Sequence, residues 1–264
     1  MGHGPDKTRA DKPLVIMVHG GFCAGWAFDA FRQPFEAAGH TCLAPDLRGH
    51  KPGARGSEVV GVSMADFAHD IVALIKGQPE PPVLMGHSMG GLVAMMAAAR
   101  TPVRSLVLLA PSCPWGVAGS SMEEAAQALS LHMLGPFWMQ SVDPDYISAK
   151  LYSLDKLDSA DRKAAFARMS PESGRALWET LNWWLDPFMT TSVQGDRIKA
   201  PVMAVAGELD LIHPPSTVKQ TAARVGAEVE VFPGMSHWLI GEPGWEAVAR
   251  TCLDWIAAQT VAAV

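Results

Sequence analysis

The chain has 264 residues, of which 48% are hydrophobic and 18% charged, with a formal net charge of −6. That balance fits one large globular domain and excludes a disordered chain. The acidic excess disfavours nucleic acid or an anionic membrane as the main partner, and no apolar run reaches the roughly 18 residues that a membrane span needs.

Residues 1–12 are polar and charged and lack the apolar core of a secretory signal. The cytoplasm is therefore the expected location. Residues 14–18 form the first apolar run and end in His19-Gly20-Gly21. A helix is expected next, with Phe28, Phe31, Phe35 and Ala38 on one face and Gly39 as its stop. Residues 41–45 read as a second strand, followed by the polar loop 46–56. Ser63 with Asp66 three residues on has the pattern of a capping box. The helix it opens carries Met64, Phe67, Ala68, Ile71, Leu74 and Ile75 as an apolar stripe.

Residues 83–85 are a short strand that runs into Gly86-His87-Ser88-Met89-Gly90-Gly91, and an Ala- and Met-rich helix leaves that motif. Residues 105–110 are another buried strand. From Ser112 to about Gln194 the pattern is helical with no convincing strand. Alternation resumes with strand 201–206, helix 216–225, strand 228–232 and a last helix 245–259. Strands alternating with helices argue for a mostly parallel sheet covered on both faces. The expected fold is thus α/β, with six strands in a core of residues 1–111 and 195–264. Residues 112–194 form a helical cap.

Gly86-His87-Ser88-Met89-Gly90 is a G-x-S-x-G motif, and a strand-to-helix turn is the setting in which such a serine becomes a nucleophile. A serine hydroxyl needs a base to take its proton. Of the nine histidines, His237 is the best placed, in a loop after the last strand. His213 lies too close to the expected acid, His69 lies within a helix, and His87 is inside the motif. An acid must fix the imidazole tautomer. Asp210, just past strand 201–206, fits that role, with Glu208 as runner-up. Loops at the carboxyl ends of parallel strands gather on one side of the sheet, so Ser88, Asp210 and His237 should meet. Oxyanion donors would be the backbone N–H groups of Met89 and of Gly21, with Phe22 as the alternative to Gly21. The four cysteines are scattered with no CxxC pair, so neither a disulfide framework nor a zinc site is expected. Cys23 is noted because its loop belongs to the expected site.

His19-Gly20-Gly21, Asp46-Leu47-Arg48-Gly49-His50, Gly86 to Gly91, Gly207-Glu208-Leu209-Asp210 and Gly234-Met235-Ser236-His237 together resemble the α/β-hydrolase superfamily. Within it, His19-Gly20-Gly21 with Trp26 downstream is similar to plant-type methyl-ester esterases and hydroxynitrile lyases, and to bacterial esterases. The resemblance implies a Ser-His-Asp triad, a two-donor oxyanion hole and no cofactor. Two departures stand out. Only about a dozen residues precede the first HG strand here, so the antiparallel hairpin that often comes before it is expected to be missing or vestigial. The lyases carry a lysine right after the catalytic histidine, where this chain has Trp238, which disfavours lyase chemistry.

The implied activity is hydrolysis of carboxylic esters by a monomer or homodimer. Carbon–carbon, amide or lactone cleavage, acyl transfer and ligand sensing with a retained triad stay open as alternatives. The cap is rich in Trp, Met and Leu, so the substrate is expected to be a small-to-medium hydrophobic ester. Phe22, Trp138, Trp184 and Trp238 are the candidate substrate contacts.

Overall fold

A computed structural model describes residues 12–262 except 120, 123–125, 127–128 and 130. Most of the polar leader read from the sequence, residues 1–11, lies outside the described residues.

Strands β1 (Val15–Val18), β2 (Cys42–Leu43), β3 (Val83–His87), β4 (Ser105–Leu109), β7 (Val202–Gly207) and β8 (Glu228–Phe232) form one sheet in the order β2-β1-β3-β4-β7-β8. Every neighbouring pair is parallel. The six strands are those expected, with ends shifted by a few residues. The inner strands are wholly buried because both faces of the sheet are covered.

The two faces follow the period of two along each strand. Val15, Met17, Val83, Met85, Val107, Leu109, Met203 and Val205 pack on one side. There they meet Phe28, Phe31 and Phe35 and the helix α7 (Trp245–Ala262). Ile16, Val18, Leu84, Leu106, Leu108, Ala204 and Ala206 face the other side. There they meet helices α2 (Met64–Lys76), α3 (Met89–Ala98) and α6 (Pro215–Val225). The Ser63–Asp66 capping box forms as expected at the start of α2: Ser63 N–H donates to Asp66 Oδ2 at 2.9 Å and Asp66 N–H to Ser63 Oγ at 3.1 Å. Exposed Glu228 and Glu230 alternate along the edge strand β8 and guard it against pairing with another chain.

The first expected helix is broken. A 3₁₀ turn at Gly25–Phe28 and the short helix α1 (Gln33–Ala37) replace it, with Pro34 in the first turn. The three phenylalanines are still fully buried.

Between β4 and β7 lie a 3₁₀ turn at Phe137–Met139, a helical turn over 146–153, and helices α4 (Ser159–Ala167) and α5 (Gly174–Leu181). This region also holds a two-stranded antiparallel ribbon, β5 (Ser141–Val142) with β6 (Glu172–Ser173), where the sequence suggested no strand. Its strands are two residues long, too short for any alternation to show.

Backbone contact at the end of β3 controls the fold locally. A Cβ on Gly90 would stand 2.3 Å from the carbonyl oxygens of both Val18 and His19, and one on Gly86 would stand 2.3 Å from that of Gly90. Neither obstacle is a side chain that could swing away. Gly90→Ala should therefore destabilise the protein by about 3 kcal/mol, at the upper end of ordinary over-packing, as read by urea unfolding. A loss under half of that would show that the helix can shift away from β1 cheaply.

Candidate active site

Ser88 closes β3 and opens α3 with φ 53° and ψ −124°, a left-handed setting rare for a residue with a side chain. Its N–H donates to the Leu109 carbonyl at 2.9 Å, and its own carbonyl accepts from Gly91 and Ser112. These bonds hold the turn, so the hydroxyl stands clear of both strand and helix. Ser88 Oγ lies 3.0 Å from His237 Nε2, and His237 Nδ1 lies 2.9 Å from Asp210 Oδ2. The other carboxylate oxygen of Asp210 accepts from the N–H groups of Ile212 and His213 at 2.8 and 2.9 Å. Asp210 follows β7 and His237 follows β8. The two loops interlock, since Leu209 N–H donates to the Met235 carbonyl and a Cβ on Gly207 would stand 2.1 Å from the Ser236 carbonyl.

Burial alone would raise the Asp210 carboxyl, but the charge and hydrogen bond of His237 outweigh it and bring the group down to about 2. Burial likewise pushes His237 down, and Asp210 more than restores it, leaving the imidazole more basic than usual. The acid thus stays ionised, and the proton between them belongs to His237 Nδ1. Glu208 instead accepts from Gly234 N–H with its side chain at the surface, and Asp210 is the carboxylate bonded to His237. His69 is exposed.

The loop after β1 lies against the serine. A Cβ on Gly20 would be 3.1 Å from Ser88 Cβ, and one on Gly21 would be 3.8 Å from Met89 Sδ. The Met89 N–H, first in α3, has no partner within its own helix. Gly21 and Met89 both line the cavity that holds Ser88. Phe22 is a correction as an oxyanion donor: its N–H donates to Glu172 Oε2 at 3.1 Å and is already engaged.

A cavity of about 520 Å³ opens over Ser88, walled by Phe22, Leu131, Met169, Leu177, Ile212 and Trp238 among others. Trp138 and Trp184 do not line it. They are 40% and 58% exposed, and each ring stacks edge-on against its chain neighbour, Phe137 or Trp183. Their expected substrate role is corrected accordingly. Cys23 is on the wall but buried, and burial, followed by the nearby Glu172 charge, pushes its thiol up to about 12. It is a protonated, inert thiol at neutral pH.

Some residues came together without a signal in the sequence. Ser112 Oγ is 3.0 Å from His213 Nε2, and both line the cavity. Burial, then the neighbouring His237, brings His213 down to about 4 and keeps it neutral. His87 is brought to about 3 by the same causes, and its Nε2–H donates to the His237 carbonyl. Trp238 packs edge-on against His87, with ring centroids 5.5 Å apart.

Residues 15–251 match the alpha/beta hydrolase family model, and the chain belongs to that family. It is 26% identical over 255 residues to a monoacylglycerol lipase of Mycolicibacterium smegmatis, a match covering 92% of this chain and 87% of the lipase. Among solved structures it is similar to an Arabidopsis methylesterase (TM-score 0.70, 14% identity, 92% of this chain and 99% of that one). Tomato methylketone synthase I is similar too (TM-score 0.73, 17% identity, 94% and 99%). Identities this low speak to shared fold alone. No helix among the described residues is long and apolar enough to cross a membrane.

Behind His237, Glu242 Oε1 accepts the Ser236 N–H at 2.5 Å, while its Oε2 and Asp155 Oδ1 are buried without a partner among the described residues. Burial, then the charge of Asp155, raises the Glu242 carboxyl to about 7. A carboxyl whose folded-state pKa is raised binds its proton more tightly in the native state than in the unfolded chain, so stability falls as pH climbs from about 4.5 to 7. Glu242→Gln removes that slope and keeps an acceptor for Ser236. Its Tm relative to wild type should rise by a few degrees between pH 5 and pH 8. A pH-independent difference in scanning calorimetry would sink this reading.

Proposed function

We propose that this protein hydrolyses carboxylic esters of small-to-medium hydrophobic molecules through an acyl-enzyme at Ser88. One observation carries the reading: the unbroken hydrogen-bonded chain Ser88–His237–Asp210 opens onto a largely apolar cavity. The monoacylglycerol lipase among the similar proteins supports the same class of bond.

His237 Nε2 takes the proton from Ser88 Oγ as the oxygen attacks the ester carbonyl. The tetrahedral oxyanion is held by the N–H groups of Gly21 and Met89. The imidazolium, stabilised by ionised Asp210, gives its proton to the leaving alcohol. Water then attacks the acyl-enzyme, with His237 as base, and the carboxylic acid leaves as Ser88 recovers its proton. Because His237 must be neutral to accept the first proton, kcat/KM should rise with pH through a titration displaced upward from that of an ordinary histidine.

The volume of about 520 Å³ lies within the usual range for sites that enclose one small molecule. Asp143 and Asp145 on the cavity wall disfavour an anionic substrate and favour a neutral one.

Wild type and Ser88→Ala assayed on p-nitrophenyl esters of increasing acyl length test the assignment. The variant should lose about 10⁴-fold or more in kcat while its thermal unfolding is little changed. An alanine variant that keeps a tenth of the wild-type rate would remove Ser88 from the role.

A further inference from the structure

The sequence places Phe22 next to the oxyanion donor Gly21, and the structure binds both backbone groups of Phe22 to the cap. Its N–H donates to Glu172 Oε2 at 3.1 Å, and its carbonyl accepts the Ser170 N–H at 2.9 Å. Phe22 also holds φ 62°, a conformation that a side-chain-bearing residue keeps only when its surroundings impose it.

Glu172 is itself fixed from three sides. Besides Phe22, its carboxylate accepts from Ser173 N–H at 2.7 Å and from His50 Nε2 at 3.0 Å, and the Glu172 and His50 side chains are both fully buried. His50 Nδ1 meets the Arg48 carbonyl at 3.2 Å. Both ring nitrogens thus face acceptors, and only the imidazolium supplies two donors. Burial would depress His50 and raise Glu172, but their mutual attraction outweighs it in both directions. The result is a buried ion pair joining three separate segments: the loop after β1, the loop after β2 and the ribbon strand β6.

We infer that Glu172 is a positioning residue for the oxyanion hole: it clamps the loop after β1 so that the Gly21 N–H is held toward the developing negative charge. The inference rests on the ester-hydrolase reading of Ser88. A Cβ on Gly21 would lie 3.7 Å from Glu172 Oε2, so the carboxylate sits directly behind the donor. An unpaired carboxylate there would repel the oxyanion, and the His50 cation offsets it. The clamp therefore acts through geometry, with its charge neutralised in place.

Glutamine at 172 has one acceptor oxygen for three donors, so Glu172→Gln must release at least one of them. The test uses a fluorophosphonate that phosphonylates Ser88, together with p-nitrophenyl ester kinetics, on wild type, Glu172→Gln and His50→Gln. Glu172→Gln should lower kcat and the phosphonylation rate by about 10- to 100-fold, short of the 10²–10³ for deleting a donor outright. KM should stay within about threefold, because an interaction realised only in the transition state is what is lost. His50→Gln keeps a donor to Glu172 but loses its charge, and should lower kcat at least threefold with KM again unchanged. It decides the matter should Glu172→Gln not fold.

A wild type not labelled at Ser88 would overturn the ester-hydrolase reading itself. A labelled wild type with Glu172→Gln within threefold of it in kcat would overturn the clamp alone. So would a rise in KM at constant kcat, since Glu172 would then shape the pocket and leave the oxyanion hole untouched.

Discussion

The site depends on how closely four stretches of backbone approach one another at the end of β3. Gly86 and Gly90 touch main-chain carbonyls with no room for a side chain, and Gly20 lies over Ser88. This crowding lets α3 start immediately after the strand and holds Ser88 at positive φ, a conformation that costs about 1–3 kcal/mol. The strain is sustained by bonds on both sides of the residue, from Ser88 N–H to β4 and from Gly91 and Ser112 to its carbonyl. Because the same contact fixes the start of α3, the Met89 N–H and the Ser88 hydroxyl are placed by one event. The Ser88 hydroxyl and the Met89 N–H cannot drift apart without breaking the fold.

Around this turn the protein buries five imidazoles and gives them different fates. His19, His87 and His213 have no carboxylate as a direct ring partner, and burial keeps them neutral. His19 shows it in its bonds: Nδ1–H donates to the Gly20 carbonyl while Nε2 accepts the Leu47 N–H. His237 and His50 each meet a buried carboxylate, Asp210 or Glu172, and each is held more basic than usual. One residue type in one desolvated region is thereby divided into structural acceptors and two proton-holding groups. The dividing factor is whether a carboxylate lies within hydrogen-bond distance.

Much of this was legible from the chain. The six strands, their parallel direction and the loops bearing Ser88, Asp210 and His237 follow from apolar runs and glycine punctuation, which are local signals. What was not legible depends on direction in space. Trp138 and Trp184 read as pocket residues because composition tells how apolar a cap is and not which way a ring points. Phe22 read as a spare oxyanion donor because nothing nearby in sequence announces a carboxylate 150 positions away. Glu172 itself sits in Ser170-Pro171-Glu172-Ser173, a stretch with the look of a solvated turn. Only its burial reveals otherwise. The ribbon that carries it leaves no period in two residues per strand.

The cap therefore has two physical characters within one segment. Toward residues 172–179 it is tied to the core by polar bonds that cannot slide: Glu172 to His50 and Phe22, Ser173 to the Val62 carbonyl, and Glu179 to the Met64 N–H at the start of α2. Toward residues 129–139 and 184–189 it presents exposed Leu, Met, Phe and Trp side chains, with no such anchors among the described residues. A buried hydrogen-bonded charge resists displacement far more than apolar contacts that can re-pack. Any adjustment of the cavity to different ligands should then fall on the apolar side, around Leu131 and Leu134, which also line the cavity. The anchored side keeps the loop after β1 fixed against Ser88. A single insertion can thus vary the shape of the pocket while holding constant the geometry that the chemistry requires.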